Sequence, residues 1–244
     1  MKRIIYLLSI VLALTSCKKE NEFSYDKKLL NCYTEYMNYL DNYLFYNIPV
    51  LFPPHEPFTQ KINFRYNDER IVEITGGLTA PLFYGQLVFS NEIYDSIIYE
   101  NNSIKVFIKP EGVYSAFENP KSPIIYELDS NKSLKKVVTR DSVQHFFVYE
   151  NDIIHEKNKD GELLRKFYFE NNNLIKVEKE ILNSEGTVIY KKEILLENYD
   201  NKHNPLKNNY FILGTFYRAF SENNFREITI YEYELKNGEM VIRS

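Results

Sequence analysis

The chain contains no tryptophan, only 8 glycines, 3 methionines and 4 histidines among its 244 residues. Without Trp the largest aromatic stacking surface is absent, so recognition by rings rests on Tyr and Phe. No Gly-rich phosphate loop, Gly-x-Ser-x-Gly or His-Glu-x-x-His run occurs, which removes the common signatures of nucleotide-binding and hydrolytic sites. His55, His145, His155 and His203 stand ten or more residues apart and in no metal-ligand spacing, so the sequence predicts no metal and no cofactor. The two cysteines are Cys17 and Cys32. With Cys17 used as a thioether, Cys32 is alone and no internal disulfide forms; it reads as a small buried hydrophobe. An excess of positive charge is also missing. Lys and Arg number 30 against 34 Asp and Glu, and without a basic stripe nucleic acid is not a partner. Beyond the first residues no apolar run approaches membrane-spanning length.

What is present begins at the N-terminus. Lys2 and Arg3 precede the uncharged run Ile4 to Leu14, which ends in Leu14-Thr15-Ser16-Cys17. This is an export signal too short for a stable span, and its end resembles the lipobox of bacterial lipoproteins. The resemblance implies that residues 1–16 are removed and that Cys17 is diacylated, anchoring the chain to a membrane through its lipid. Residues 17–25 then form a charged tether. Its Lys18-Lys19-Glu20-Asn21-Glu22 resembles the signal of surface-displayed lipoproteins of Bacteroidota, which implies the outer membrane and its cell surface, with a periplasm-facing site as the alternative.

Aromatic residues make up 16% of the chain, with 21 Tyr and 17 Phe. That composition favours sheet. Over 26–46, Leu29, Tyr33, Met37, Leu40 and Leu44 recur at helical period, which predicts one N-terminal helix. Pro49, Pro53, Pro54 and Pro57 make the following stretch an extended connector, so 26–58 is helix plus connector. Residues 59–244 read as a β domain of successive hairpins. Apolar and aromatic runs alternate with turn residues at Asn67-Asp68, Asn101-Asn102, Asp129-Ser130-Asn131, Asn151-Asp152, Asp160-Gly161, Asn171-Asn172, Ser184-Glu185-Gly186 and Asn237-Gly238. Asn-Gly predicts a type I′ turn, because both central residues take positive φ. The expected fold is mainly β, a large antiparallel meander sheet of roughly 10–12 strands.

A unit of aromatic residue, acid or Asn, then an Asn-rich turn recurs at Tyr66-Asn67-Asp68, Tyr99-Glu100-Asn101-Asn102, Tyr149-Glu150-Asn151-Asp152 and Phe169-Glu170-Asn171-Asn172. It resembles a degenerate YD repeat of RHS-type β proteins. Together with Tyr199-Asp200-Asn201-Lys202-His203-Asn204-Pro205 it is similar to Bacteroidota lipoproteins of unknown function, which implies a curved, half-barrel-like sheet and no assigned activity.

Function is read from the rings. Phe167-Tyr168-Phe169 carries aromatics on both faces of a strand, and Tyr231 and Tyr233 share one face of another. With Tyr149 these form a candidate binding face for a glycan or an envelope protein. Acids beside rings are also what a glycosidase needs, but alternating Glu on a strand is ordinarily its solvated side. The sequence therefore predicts a non-catalytic binding module. A structural component of an outer-membrane complex is the alternative, and a polysaccharide hydrolase ranks below both. Asp95-Ser96-Ile97 and Asp141-Ser142-Val143 resemble the O-glycosylation signal of exported Bacteroidota proteins, which makes Ser96 and Ser142 acceptor candidates.

Overall fold

The computed structural model describes residues 31–34, 37–38, 48–49, 60–79, 88–110, 122–212 and 215–243. Fourteen strands form one open antiparallel sheet. They are β1 (Asn31–Thr34), β4 (Gln60–Asn67), β5 (Arg70–Thr79), β6 (Val88–Glu100), β7 (Ser103–Pro110), β8 (Ile124–Leu128), β9 (Leu134–Val138), β10 (Gln144–Glu150), β11 (Ile153–Asn158), β12 (Leu163–Glu170), β13 (Asn173–Leu182), β14 (Val188–Glu197), β15 (Glu227–Lys236) and β16 (Glu239–Ile242). A separate two-stranded pair joins β2 (Met37–Asn38) to β3 (Ile48–Pro49). The meander is as expected, with more strands.

The helix expected over 26–46 is not found where that stretch is described. Asn31–Thr34 instead pairs with β4, Asn31 opposite Asn63 and Thr34 opposite Gln60. Asn, Cys, Tyr and Thr are weak helix formers, and the last two favour strands, so local preference defeats the apolar period there. The rest of 26–46, most of the proline-rich connector and Cys17 lie outside the described residues.

Two devices turn the chain despite the scarcity of glycine. In the first, the two residues between strands adopt left-handed backbone. Asn171 and Asn172 have φ of 49° and 61°, and Asn237 and Gly238 have φ of 52° and 86°. The last is the type I′ turn expected from the sequence. Asn tolerates this region because its short side chain bonds locally. In the second, a side chain at the loop's start accepts hydrogen bonds from backbone N–H groups further on: Asp129 from Asn131 and Ser133, Asn158 from Asp160 and Glu162, Asn183 from Glu185 and Thr187. The residue three positions after each of them (Lys132, Gly161, Gly186) takes positive φ, as three-residue hairpin loops with a bulge require.

Register explains the recurrent aromatic unit. Across the turns, Tyr66 pairs with Ile71, Tyr99 with Ile104, Tyr149 with Ile154 and Phe169 with Leu174. Each is an aromatic–aliphatic cross-strand pair, and all four aliphatic partners are buried. The unit therefore places a ring on one side of the sheet, hereafter the inner side, at one end of its hairpins.

A long connection between β14 and β15, residues 198–226, covers that inner side. It contributes buried Leu206, Tyr210, Phe211, Phe216, Phe220 and Phe225 and includes the 3-10 turn Arg218–Phe220. Phe211 meets Tyr99 and Tyr126 edge-on at 6.2 and 6.5 Å, while Phe220 lies 5.4 Å from Phe167 and 6.4 Å from Phe169. Each ring fully buried in this way contributes about 1.5–3 kcal/mol. The connection is latched by Asn204, which is fully buried. Its Nδ2 donates to the carbonyls of Arg218 (2.7 Å) and Ser221 (3.0 Å), and its Oδ1 accepts from Leu206 N–H at 2.9 Å.

Asp95 sits on the inner side of β6, between Ile74 and Ile108 in register. Burial raises its carboxyl from 3.8 to about 7, against the pull of Arg140, and among the described residues its Oδ1 accepts no hydrogen bond. The folded chain thus holds a proton that the unfolded chain releases near its ordinary value, so stability falls as pH rises between about 4 and 7. Asp95→Asn is expected to raise the melting temperature at pH 8 and leave it nearly unchanged at pH 4. An equal effect at both values refutes this assignment.

Candidate functional site

Two groupings of polar side chains stand out, one on each side of the sheet. On the inner side, the two-residue turn at Asn151-Asp152 sets Phe147 opposite Glu156, and Glu156 lies opposite Arg165. Register thus brings a carboxylate and a guanidinium onto the apolar side. His145 Nδ1 lies 2.7 Å from Glu156 Oε1, and Arg165 donates to Glu156 Oε2 at 2.7 Å. All three are buried. Burial lowers Arg165 to about 10, with the Tyr217 phenol opposing the shift. Such a cluster persists only because each charge is matched, and all three members are shielded from solvent, with Tyr217 near Arg165.

On the outer side, β12 to β15 carry a lattice of opposite charges. Lys166 opposes Glu178, Glu178 opposes Glu193, Glu180 opposes Lys191, and Tyr231 and Tyr233 continue these two rows on β15. Glu178 lies 3.1 Å from Lys191 and 3.3 Å from Lys176, and Glu193 lies 2.9 Å from Lys191. Burial pushes the Glu178 carboxyl up, but Lys191 and Lys176 outweigh it and hold the group below its usual range. The tyrosines are tied into the same lattice. Tyr168 donates to Glu178 at 3.1 Å and has Lys176 Nζ 4.1 Å from its ring centre. Burial, followed by Glu178, raises its phenol to about 12. Tyr233 donates to Glu193 at 3.1 Å and lies 6.3 Å from the Tyr231 ring with 37° between planes.

The six candidate binding residues therefore divide between the two sides. Phe167 has no exposed surface, Phe169 packs on Phe220, and Tyr149 pairs with Ile154 on the inner side although 45% of it is exposed. Tyr168, Tyr231 and Tyr233 lie together on the outer side, half-buried. Ser96 is within β6, between Glu73 and Phe107 in register, whereas Ser142 is exposed in a turn with φ of 66°. Among the described residues no group of His, Cys, Asp or Glu is arranged to hold a metal ion. The buried cluster escaped sequence reading, although counting outward from the Asn151-Asp152 turn places Glu156 opposite Phe147 and marks it as an acid on the apolar side. The exposed pair Met240 and Ile242, 36% and 61% accessible, was likewise read only as a strand.

Residues 1–17 match the family model for the prokaryotic membrane lipoprotein lipid attachment site. No curated protein matches the chain. Among solved structures the chain is similar to a porin-like protein from Bacteroides vulgatus ATCC 8482, with 13% identity over 77% of this chain and 87% of that one and a TM-score of 0.35. A porin-like protein from Bacteroides uniformis ATCC 8492 is similar at 12% identity over 76% and 86%, with a TM-score of 0.37.

Proposed function

We infer from the lipid attachment site over residues 1–17 that this is a lipid-anchored envelope protein. We propose that it is a non-catalytic binding module of the outer membrane, displayed at the cell surface, and that it takes a glycan on the outer side of its last strands. One observation carries this reading: Tyr231 and Tyr233 lie side by side on a solvent-facing strand, flanked by Lys191 and Glu193, which supply hydrogen-bonding groups beside the rings. Rings with polar neighbours are what a sugar's alternating C–H and O–H surfaces require, and each ring contact adds about 0.5–1.5 kcal/mol.

Calorimetric titration with neutral and acidic oligosaccharides tests the reading. Y231A/Y233A is expected to weaken binding roughly tenfold to a hundredfold while leaving the melting temperature within a few degrees, because neither ring belongs to the core. A double variant that binds as tightly as the parent sinks the proposal. The anchor has its own test: mass spectrometry of the protein extracted from membranes is expected to find residues 1–16 removed and acyl chains on Cys17, and an unmodified Cys17 would refute lipidation there. A second reading, a structural component of an outer-membrane complex, is favoured by exposed Met240 and Ile242. Gentle crosslinking and pull-down from membranes separates the two, since Y231A/Y233A should weaken glycan binding and leave a docked complex intact.

A further inference from the structure

β16 ends the sheet: β15 lies on one side of it, and no strand pairs with the other side in the described residues. Its register with β15 sets Lys236 opposite Glu239, Leu235 opposite Met240, Glu234 opposite Val241 and Tyr233 opposite Ile242. The Arg243 N–H donates to the Glu232 carbonyl at 2.7 Å. Hydrogen bonding alternates along an antiparallel strand, so Glu239, Val241 and Arg243 bond inward to β15. Met240 and Ile242 therefore aim their N–H and C=O groups at the open edge.

Natural edge strands are protected against pairing by prolines, bulges and charges along the edge. The centre of this one, Met240-Val241-Ile242, has none of these. Its charges stand only at its two ends and have opposite sign, Glu239 and Arg243. We propose that β16 pairs antiparallel with β16 of a second copy of this chain, about a twofold axis at Val241, making one continuous sheet across both. In that register Met240 meets Ile242 of the other copy and Glu239 meets its Arg243, each twice. The residues brought opposite as hydrogen-bonded pairs, Met240 and Ile242, are the two whose backbone groups point outward, so the pairing satisfies them without disturbing β15. Met240 and Ile242 lie on the same outer side as Tyr233, so the exposed apolar strip is extended across the axis. The inference rests on the backbone and end charges of β16 and is independent of glycan binding. Four hydrogen bonds and a short apolar strip make a small interface, and confinement of two lipid-anchored copies to one membrane raises their effective concentration.

Sedimentation equilibrium of the mature chain, carrying Cys17→Ser so that it remains in solution, tests the pairing over about 1 μM to 1 mM. The expected result is reversible dimerisation. Glu239→Lys and Arg243→Glu each set like charges opposite one another and should weaken the dimer roughly tenfold. The combined swap, E239K/R243E, restores the opposite pairing and should return it to within about threefold of the parent. Ile242→Pro removes an outward N–H without touching the bonds to β15 and should abolish the dimer, with the parent's circular dichroism retained. A chain that stays monomeric throughout, or a dimer indifferent to Glu239→Lys and Ile242→Pro, overturns the proposal.

Discussion

Replacing Glu156 with alanine is expected to cost about 3–5 kcal/mol, the usual penalty for removing one partner of a buried ion pair. For a domain of this size that lowers the melting temperature by roughly 8–15 °C. The loss arises mainly from what is left behind. Arg165, 4% exposed, loses the carboxylate 2.7 Å away, and His145, 1% exposed, loses the oxygen that holds its Nδ1. Glu156→Gln keeps the shape but leaves the guanidinium facing a neutral amide, so it too should be strongly destabilising. Replacing all three residues together by Leu or Met of similar volume should be nearly neutral, because buried charge networks seldom exceed a well-packed apolar substitute in stability. Thermal unfolding followed by circular dichroism distinguishes these cases. If the triple variant is as damaged as Glu156→Ala, the cluster has a role beyond mutual neutralisation.

The second large effect is at Asn204. Asn204→Ala deletes three hydrogen bonds at a site with no solvent access. At about 1 kcal/mol each, plus the cost of carbonyls left without a donor, the loss is roughly 3–5 kcal/mol. Asn204→Asp is expected to be worse than alanine despite its identical size, because it aims a carboxylate oxygen at the carbonyls of Arg218 and Ser221. Hydrogen exchange should report the damage first in residues 198–226, followed by dye binding to the uncovered rings around Phe167 and Phe147. Asn204→Asp matching the parent would remove the latch from this account.

The sequence showed the hairpins but not the object they pack against. Turn residues located most of the two- and three-residue hairpin turns from Asn67-Asp68 onward, because Asn in left-handed backbone and Asp or Asn at loop starts are local chemistry. The recurrent aromatic unit was visible for the same reason. What escaped were consequences of register and of long-range packing. Phe167 and Tyr168 are neighbours in sequence, yet one is in the core and the other in a salt lattice, and only the side covered by residues 198–226 decides which. That segment has no period of its own, so nothing in its sequence announced that Phe216 and Phe220 would finish the core. The helix expected over 26–46 failed in the opposite way: a plausible apolar stripe was outweighed by strand pairing where the chain is described.

The order of the sheet has a consequence for how the chain acquires its fold. From β5 to β14 every strand pairs with its predecessor in the chain, so each hairpin closes cheaply and early. β15 reaches β14 only across the intervening 198–226, a far longer loop to close than those of the hairpins. The rings on β10 and β12 therefore wait uncovered until the last fifth of the chain arrives. Folding should show a fast phase for the hairpins and a slower one limited by that segment, and Asn204→Ala should retard the slow phase alone. A protein that reaches the envelope through export would expose its most aggregation-prone surface in that interval.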